Sequence, residues 1–266
     1  MRRFAIIIPA RYESTRFPGK PLVQLRGATG IAKPLIQRSW ETACEICEPS
    51  QIRVATDDQR IAEAVEEFGG KVVLTAPQCG NGTERCAEAI AGLDEAPEII
   101  VNLQGDAPLV PAPLVEQLVA ALVEDPTASM ATPALRCSAT TYEHLLADQQ
   151  AGRVGGTTVV FDRQHRALYF SKRLLPFIPD SSEAPERHVH LHLGLYAYRR
   201  EALLHYAAAT PSSLESLEGL EQLRFLDQGQ TVKVLPTDPV GWDCIELNNP
   251  SDVPVIEAVL RGRGIE

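Results

Sequence analysis

The sequence has no long hydrophobic run. The longest, Phe4 to Pro9, falls far short of the roughly 20 residues a bilayer-spanning helix needs, and Arg2 and Arg3 do not lead into the about 7 to 15 apolar residues of a secretory leader. A cytoplasmic protein with no membrane partner is expected. No internal repeat, low-complexity linker or biased tract interrupts the 266 residues, which excludes a solenoid, a fibre or a disordered chain. Six cysteines (Cys44, Cys47, Cys79, Cys86, Cys137, Cys244) are too few at this length for the disulfide framework of a small secreted domain, so reduced thiols are expected.

An extended basic surface is missing as well. The net charge is −10, and binding to a nucleic acid backbone needs broad positive potential, so nucleic acid is excluded as a partner. The charge is uneven: residues 1–40 hold eight Lys/Arg against Glu13 alone, a local +7 that leaves −17 for the rest. Such an island suits a small polyanion.

The regular pattern is of short apolar runs alternating with helical spacing. Phe4-Ala5-Ile6-Ile7-Ile8, ended by Pro9, reads as a buried central strand, and similar runs recur at 52–56, 71–74 and 98–103. Between them, Ile61, Val65 and Phe68 follow an Asp57-Asp58 cap. Cys86, Ile90 and Leu93 follow Asn81-Gly82-Thr83, and Leu114, Leu118 and Leu122 follow Pro113. Strand alternating with helix predicts an α/β fold with a mostly parallel, doubly wound sheet over the first ~135 residues. Beyond Cys137 the texture is α+β. A hairpin is expected at 155–162 and 166–171, a long alternating strand from His188 to Tyr198, a helix from Ser213 to about Asp227 with Leu214, Leu217, Leu220 and Leu223 as its apolar stripe and Glu215, Glu218 and Gln222 on another face, a strand at 232–235 and a closing helix after Pro250. The expected organisation is two halves of one fold, 1–135 and 136–266, the second packed as a lobe on the first sheet.

The first strand opens directly into Pro9-Ala10-Arg11-Tyr12-Glu13-Ser14-Thr15-Arg16-Phe17-Pro18-Gly19-Lys20-Pro21-Leu22. In open α/β sheets ligands bind beyond the carboxyl ends of strands. Arg11, Arg16 and Lys20 are charge-assisted donors to phosphate oxygens, and Gly19 lets backbone amides come close. A triphosphate is the expected occupant. The loop lacks the Walker Gly-x-x-x-x-Gly-Lys-Ser/Thr spacing, and no strand is followed by Gly-x-Gly-x-x-Gly.

This run closely resembles the 3-deoxy-manno-octulosonate (Kdo) cytidylyltransferases, or CMP-Kdo synthetases. So, in the family's order, do Val54-Ala55-Thr56-Asp57, Gly82-Thr83-Glu84-Arg85, Val101-Asn102-Leu103-Gln104-Gly105-Asp106, Ala167-Leu168-Tyr169-Phe170-Ser171, His192-Leu193-Gly194 and Leu220-Glu221-Gln222-Leu223-Arg224. The resemblance implies a nucleotide-diphospho-sugar transferase fold. It also implies attack by the anomeric hydroxyl of an acidic 3-deoxy-2-ulosonic sugar on the α-phosphorus of CTP, with pyrophosphate leaving. The first half would be the CTP half and the second the sugar-binding half. Pro9, Ala10, Arg11, Arg16, Lys20, Asp57, Asn81, Gly82, Arg85 and Gln104 would contact the nucleotide, with Arg11 and Lys20 neutralising the leaving phosphates. Gln104, Tyr169, His192, Glu221 and Gln222 would meet the sugar. Asp106, at the tip of its strand, would anchor Mg²⁺, a hard cation that prefers oxygen ligands. The family is often homodimeric and serves lipopolysaccharide or capsule precursor synthesis.

Four positions depart from the family pattern. Ala107 stands where the family usually has Glu, and Asn248 or Glu246, depending on alignment, where it has a second metal-binding Asp. Asn248 is preferred because of the Pro-x-Asp register that follows it. Leu191 and Thr158 replace cations, which predicts an altered acceptor, with Lys172, Arg173 or Arg153 as substitutes. A catalytically weakened nucleotide or sugar sensor, or a cytidylyltransferase for another 2-keto acid, is the alternative. His188, His190 and His192 would share a strand face, a geometry that could bind zinc; the plainer reading is one buried, satisfied histidine. Cys44 and Cys47 read as core thiols on a helical run, since no second Cys pair lies at zinc-ribbon spacing.

Overall fold

The apolar run near the N-terminus forms β1 (Phe4–Ala10), buried continuously from Ala5 onward as a run without alternation requires. The computed structural model describes residues 4–14, 17–91, 93, 97–179, 181–238 and 246–266. Pro9 does not end β1: it pairs with Ala55 in the parallel ladder, and its carbonyl accepts from Gly105 N at 3.3 Å. Then come β2 (Gln24–Arg26) and β3 (Ala32–Pro34), a small antiparallel hairpin, α1 (Leu35–Cys44), β4 (Ile52–Thr56), α2 (Gln59–Glu67), β5 (Val72–Leu74), α3 (Gly82–Ala91), β6 (Ile99–Leu103) and α4 (Ala112–Glu124). They are followed by β7 (Met130–Arg136), α5 (Ala139–Gln150), β8 (Thr158–Phe161), β9 (Ala167–Ser171), β10 (His190–His192), β11 (Leu195–Arg199) and α6 (Arg200–Ala208). The chain closes with α7 (Ser213–Glu218), α8 (Leu223–Asp227), β12 (Val232–Thr237) and α9 (Val253–Gly262).

Two compact units are present, residues 1–117 with 240–266 and residues 118–239, the division falling inside α4. These packing units differ in extent from the ligand-binding halves read from the sequence.

In the first unit the strand order is β5-β4-β1-β6, all parallel. The chain winds outward from β1 through β4 to β5, and α3 then returns it to the other side of β1 as β6. That reversal places a crevice at the carboxyl ends of β1 and β6. Ile256 and Leu260 of α9 join Leu25, Leu35, Leu109 and Leu247 in an apolar cluster.

The second unit is a mixed sheet. β12 runs parallel along one edge of β7, while β10 and β11 lie antiparallel along the other; β8 pairs with β10, and β9 with β8. A parallel core with a mixed lobe is the α/β class expected. The long strand expected from His188 to Tyr198 is broken: His192 pairs with Ala134 and Ala197 with Ala131, so Leu193-Gly194 absorb the mismatch as a bulge.

The helix expected from Ser213 to Asp227 is also broken. Gly219, at φ 61°, caps α7, and α8 begins four residues later. Leu214 and Leu217, expected in the apolar stripe, are exposed, Leu217 by 84 %, whereas Glu215 is buried. Among the described residues Cys44, Cys47, Cys79, Cys86 and Cys137 are free thiols; Cys44 and Cys47 end α1 and the turn after it, half-buried rather than in the core. Cys244 lies outside the described residues.

Candidate active site

The loop after β1 is pinned from within. Gly19, at φ 71°, donates to the Tyr12 carbonyl at 2.8 Å, and the Tyr12 ring lies 3.0 Å from where a β-carbon on Gly19 would stand. Only glycine meets both demands. The Arg60 guanidinium sits 3.4 Å over the same ring while pairing with Asp58, the N-cap of α2. The loop so held brings Lys20 onto the Asp106 carboxylate in an ion pair largely shielded from water. Arg11 is exposed at the loop's start, and Arg16 lies outside the described residues.

Asp106 is carried past the end of β6 by Gln104-Gly105. A β-carbon on Gly105 would stand 2.8 Å from the Pro9 carbonyl, so glycine is required for the two strand ends to approach. Ser39 of α1 donates to the Gly105 carbonyl at 3.0 Å, and the Asp106 carbonyl accepts from Leu247 N at 2.8 Å. Glu246 and Asn248 thus flank a residue bonded directly to the Asp106 backbone. The Asn248 and Asn249 amides both donate to the Asp252 carboxylate, at 2.9 and 2.7 Å. Buried Ala107 closes the turn on the Gln104 carbonyl.

The N-terminus of α3 reaches the same crevice. Asn81 Oδ1 accepts from Glu84 N at 2.8 Å, and the Glu84 carboxylate accepts from Gly80 N at 2.7 Å, a reciprocal cap. A β-carbon on Gly82 would stand 3.1 Å from Gln104 Nε2 and 3.4 Å from Pro9 Cγ, which brings Pro9, Gly82 and Gln104 together. Gln104 in turn donates to Asn102 Oδ1 at 3.1 Å. Arg85 and Asp57 pair with each other at 3.2 Å, and Arg85 donates to Thr75 Oγ1 at 2.5 Å.

Among the described residues no three His, Cys, Asp or Glu side chains gather as a metal cage. Mg²⁺ in phosphoryl-transfer sites takes one or two protein oxygens and completes its shell with phosphate and water. Asp106 with an oxygen from Asn248 or Glu246 fits that donor set.

In the second unit His192 is half-buried, with Thr132 Oγ1 2.9 Å from Nε2 and the Phe170 ring edge-on at 5.1 Å. Burial pushes its pKa down to about 3, so the imidazole is neutral at physiological pH. Tyr196, not singled out from the sequence, lies 5.5 Å from His192 and continues into stacked Tyr198, Phe225 and Tyr206. The spacing 192, 194, 196 along one strand face was the signal available. Gln222 is 1 % exposed, and its Nε2 finds no hydrogen-bond partner among the described residues. Glu221, beside it, is half-buried.

Tyr169 is placed otherwise. It alternates with Phe170 along β9, and its hydroxyl, with that of Ser171, turns to Glu218 at 3.5 and 2.7 Å. Phe170 shares the His192 face, so Tyr169 and His192 look to opposite sides of the sheet and are not brought together.

The two lost cations also change meaning. Thr158 and Leu191 are cross-strand partners, on the face away from His192. Leu191 packs against Cys137, Leu145 and Val189, while Thr158 Oγ1 donates to the Arg173 carbonyl at 2.6 Å and accepts from Leu175 N at 3.1 Å. Leu191 thus sits in an apolar cluster and Thr158 braces the backbone at Arg173–Leu175, neither of them on the His192 face. Nor do three histidines converge: His188 belongs to the 3₁₀ turn Pro185–His188, and His190 packs against Phe161.

A parallel sheet whose strand order reverses beside a cationic loop and a carboxylate is the architecture of nucleotide-binding α/β proteins, and the match to a known family gives the class as a nucleotidyltransferase. The chain belongs to the cytidylyltransferase family, whose model matches residues 5–233, and it is a nucleotidyltransferase. It is 40 % identical over 97 % of both chains to the 3-deoxy-manno-octulosonate cytidylyltransferase of Maricaulis maris (strain MCS10). It is 42 % identical to the 8-amino-3,8-dideoxy-manno-octulosonate cytidylyltransferase of Shewanella loihica (strain ATCC BAA-1088 / PV-4), over 96 % of this chain and 97 % of that one. A solved CMP:2-keto-3-deoxy-manno-octonic acid synthetase complexed with CTP superimposes with a TM-score of 0.83 at 31 % identity, covering 98 % of this chain and 99 % of that chain. No helix among the described residues is long and apolar enough to cross a membrane.

Proposed function

We propose that this enzyme transfers CMP from CTP to the anomeric hydroxyl of a 3-deoxy-2-ulosonic acid, Kdo or its 8-amino analogue, releasing pyrophosphate. The observation that carries the reading is the meeting of Lys20 with Asp106 at the point where the strand order reverses. A cation for the departing phosphates and a carboxylate for a metal stand at one place. Positioning and charge neutralisation carry most of the rate in phosphoryl transfer. Lys20 and Arg11 hold the β- and γ-phosphates, Gly82 and Gln104 shape the pocket for the base, and the α3 terminus supplies backbone donors. Asp106 and Asn248 would hold Mg²⁺, which when bound withdraws charge from phosphate oxygens. Neutral His192 and the Gln222 amide, which has no partner among the described residues, offer hydrogen bonds to a sugar rich in hydroxyls. The protein is read as a cytoplasmic homodimer in lipopolysaccharide or capsule precursor synthesis.

The test is pyrophosphate release with CTP and Mg²⁺ against a panel holding Kdo, the 8-amino sugar and other 2-keto acids. Turnover of an ulosonic acid at about 1 to 10³ per second is expected. Loss of that turnover is expected in Asp106→Ala and on chelation of the metal. CTP binding without pyrophosphate release from any acceptor would favour a sensor and overturn the proposal.

A further inference from the structure

Between α7 and α8 lies a buried ion pair that the nucleotide site does not use. Arg224, 1 % exposed, donates through Nε and Nη2 to both oxygens of Glu215, at 2.7 and 2.6 Å. Its Nη1 donates to the carbonyls of Tyr206 and Ala209, both at 3.2 Å, and its guanidinium lies 3.9 Å over the Tyr206 ring. Glu215 also accepts from the Tyr206 hydroxyl at 3.2 Å and the Ser212 amide at 3.3 Å. One charged contact therefore ties α6, α7 and α8 together across the left-handed break at Gly219.

The segment held between its ends is Gly219-Leu220-Glu221-Gln222. Its backbone is anchored to the same residues: Gly219 N and Leu220 N both donate to the Glu215 carbonyl, at 2.7 and 3.3 Å, and Arg224 N donates to the Glu221 carbonyl at 3.2 Å. Replacing a buried ion pair by apolar groups of equal volume is often neutral or stabilising, so cohesion alone does not account for a charge pair here. What a bidentate pair adds is fixed distance and angle.

We infer that Glu215 and Arg224 are positioning residues of the acceptor site. Their ion pair sets the corner that presents Glu221 and Gln222, keeping the Gln222 amide buried and without a partner among the described residues until a sugar oxygen accepts from it. The inference rests on the proposed reading of Glu221 and Gln222 as sugar contacts. The device acts on the acceptor and not on the nucleotide, whose residues lie in the other unit.

The experiment is steady-state kinetics of the wild-type chain, Glu215→Gln, Arg224→Lys and, as a stability control, the core variant Val159→Ala. The isosteric Glu215→Gln keeps shape and loses charge. A rise of about tenfold in KM for the sugar is expected, with KM for CTP unchanged and kcat little altered; Arg224→Lys, which keeps the charge but not the fork, is expected to fall between it and wild type. Val159→Ala is expected to lower the melting temperature without that split. Equal movement of both KM values, or a lowered melting temperature with both KM values unchanged, would overturn the positioning role. A wild-type enzyme inactive on every ulosonic acid would instead remove the functional reading on which it rests.

Discussion

His192 is neutral because its surroundings, the Phe170 and Tyr196 rings among them, strip it of water, and this links folding to pH. Its pKa is about 3 in the folded chain against 6.5 when exposed, the shift arising from burial. Above pH 6.5 both states are neutral and the group costs nothing. As pH falls toward 3 the unfolded chain takes up a proton that the folded chain refuses, so stability is lost by about 1.4 kcal/mol per unit. Urea denaturation between pH 7 and 4 is expected to show this slope in the wild type and to lose it in His192→Gln. Single residues were also where the sequence misled. Leucine spacing put Leu214 and Leu217 inside and Glu215 outside; the structure reverses this, because a carboxylate gripped by both arms of Arg224 tolerates burial and a six-residue helix leaves its leucines no wall to meet. No pattern of residue types announces a pairing between positions nine apart across a bend.

Elements were legible where one force acted alone. The strands β4 and β6 appear where their unbroken apolar runs put them, since burial on both faces leaves no other reading. The loop that brings Lys20 to Asp106 follows β1 directly, where the sequence put it. The hairpin β2–β3 was not, because three-residue strands carry too little periodicity, and β10 and β11 were fused because alternation continues through the Leu193-Gly194 bulge. Glycine chemistry at the strand tips yields a prediction. Gly105→Ala forces a methyl group into the Pro9 carbonyl and so shifts the loop bearing Lys20 against Asp106. A loss of about 10²-fold in kcat/KM is expected, read by pyrophosphate release, with near-wild-type helicity by circular dichroism.

For the molecule as a whole, charge is the organising quantity. Residues 1–40, which include Arg11 and Lys20, carry a local +7 within a chain of net −10, a charge whose field would attract an anionic nucleotide. Screening weakens such a field over about 10 Å at 0.1 M salt. Raising the salt from 0.05 to 0.5 M is therefore expected to increase KM for CTP by about threefold to tenfold, with a smaller effect on kcat. A KM indifferent to salt would show that binding draws on short contacts alone.

The bond from Leu247 N to the Asp106 carbonyl joins stretches 141 positions apart in the chain. The contact is a long-range closure: the chain between the two stretches has to be looped and its entropy given up before the Asp106 backbone gains this partner.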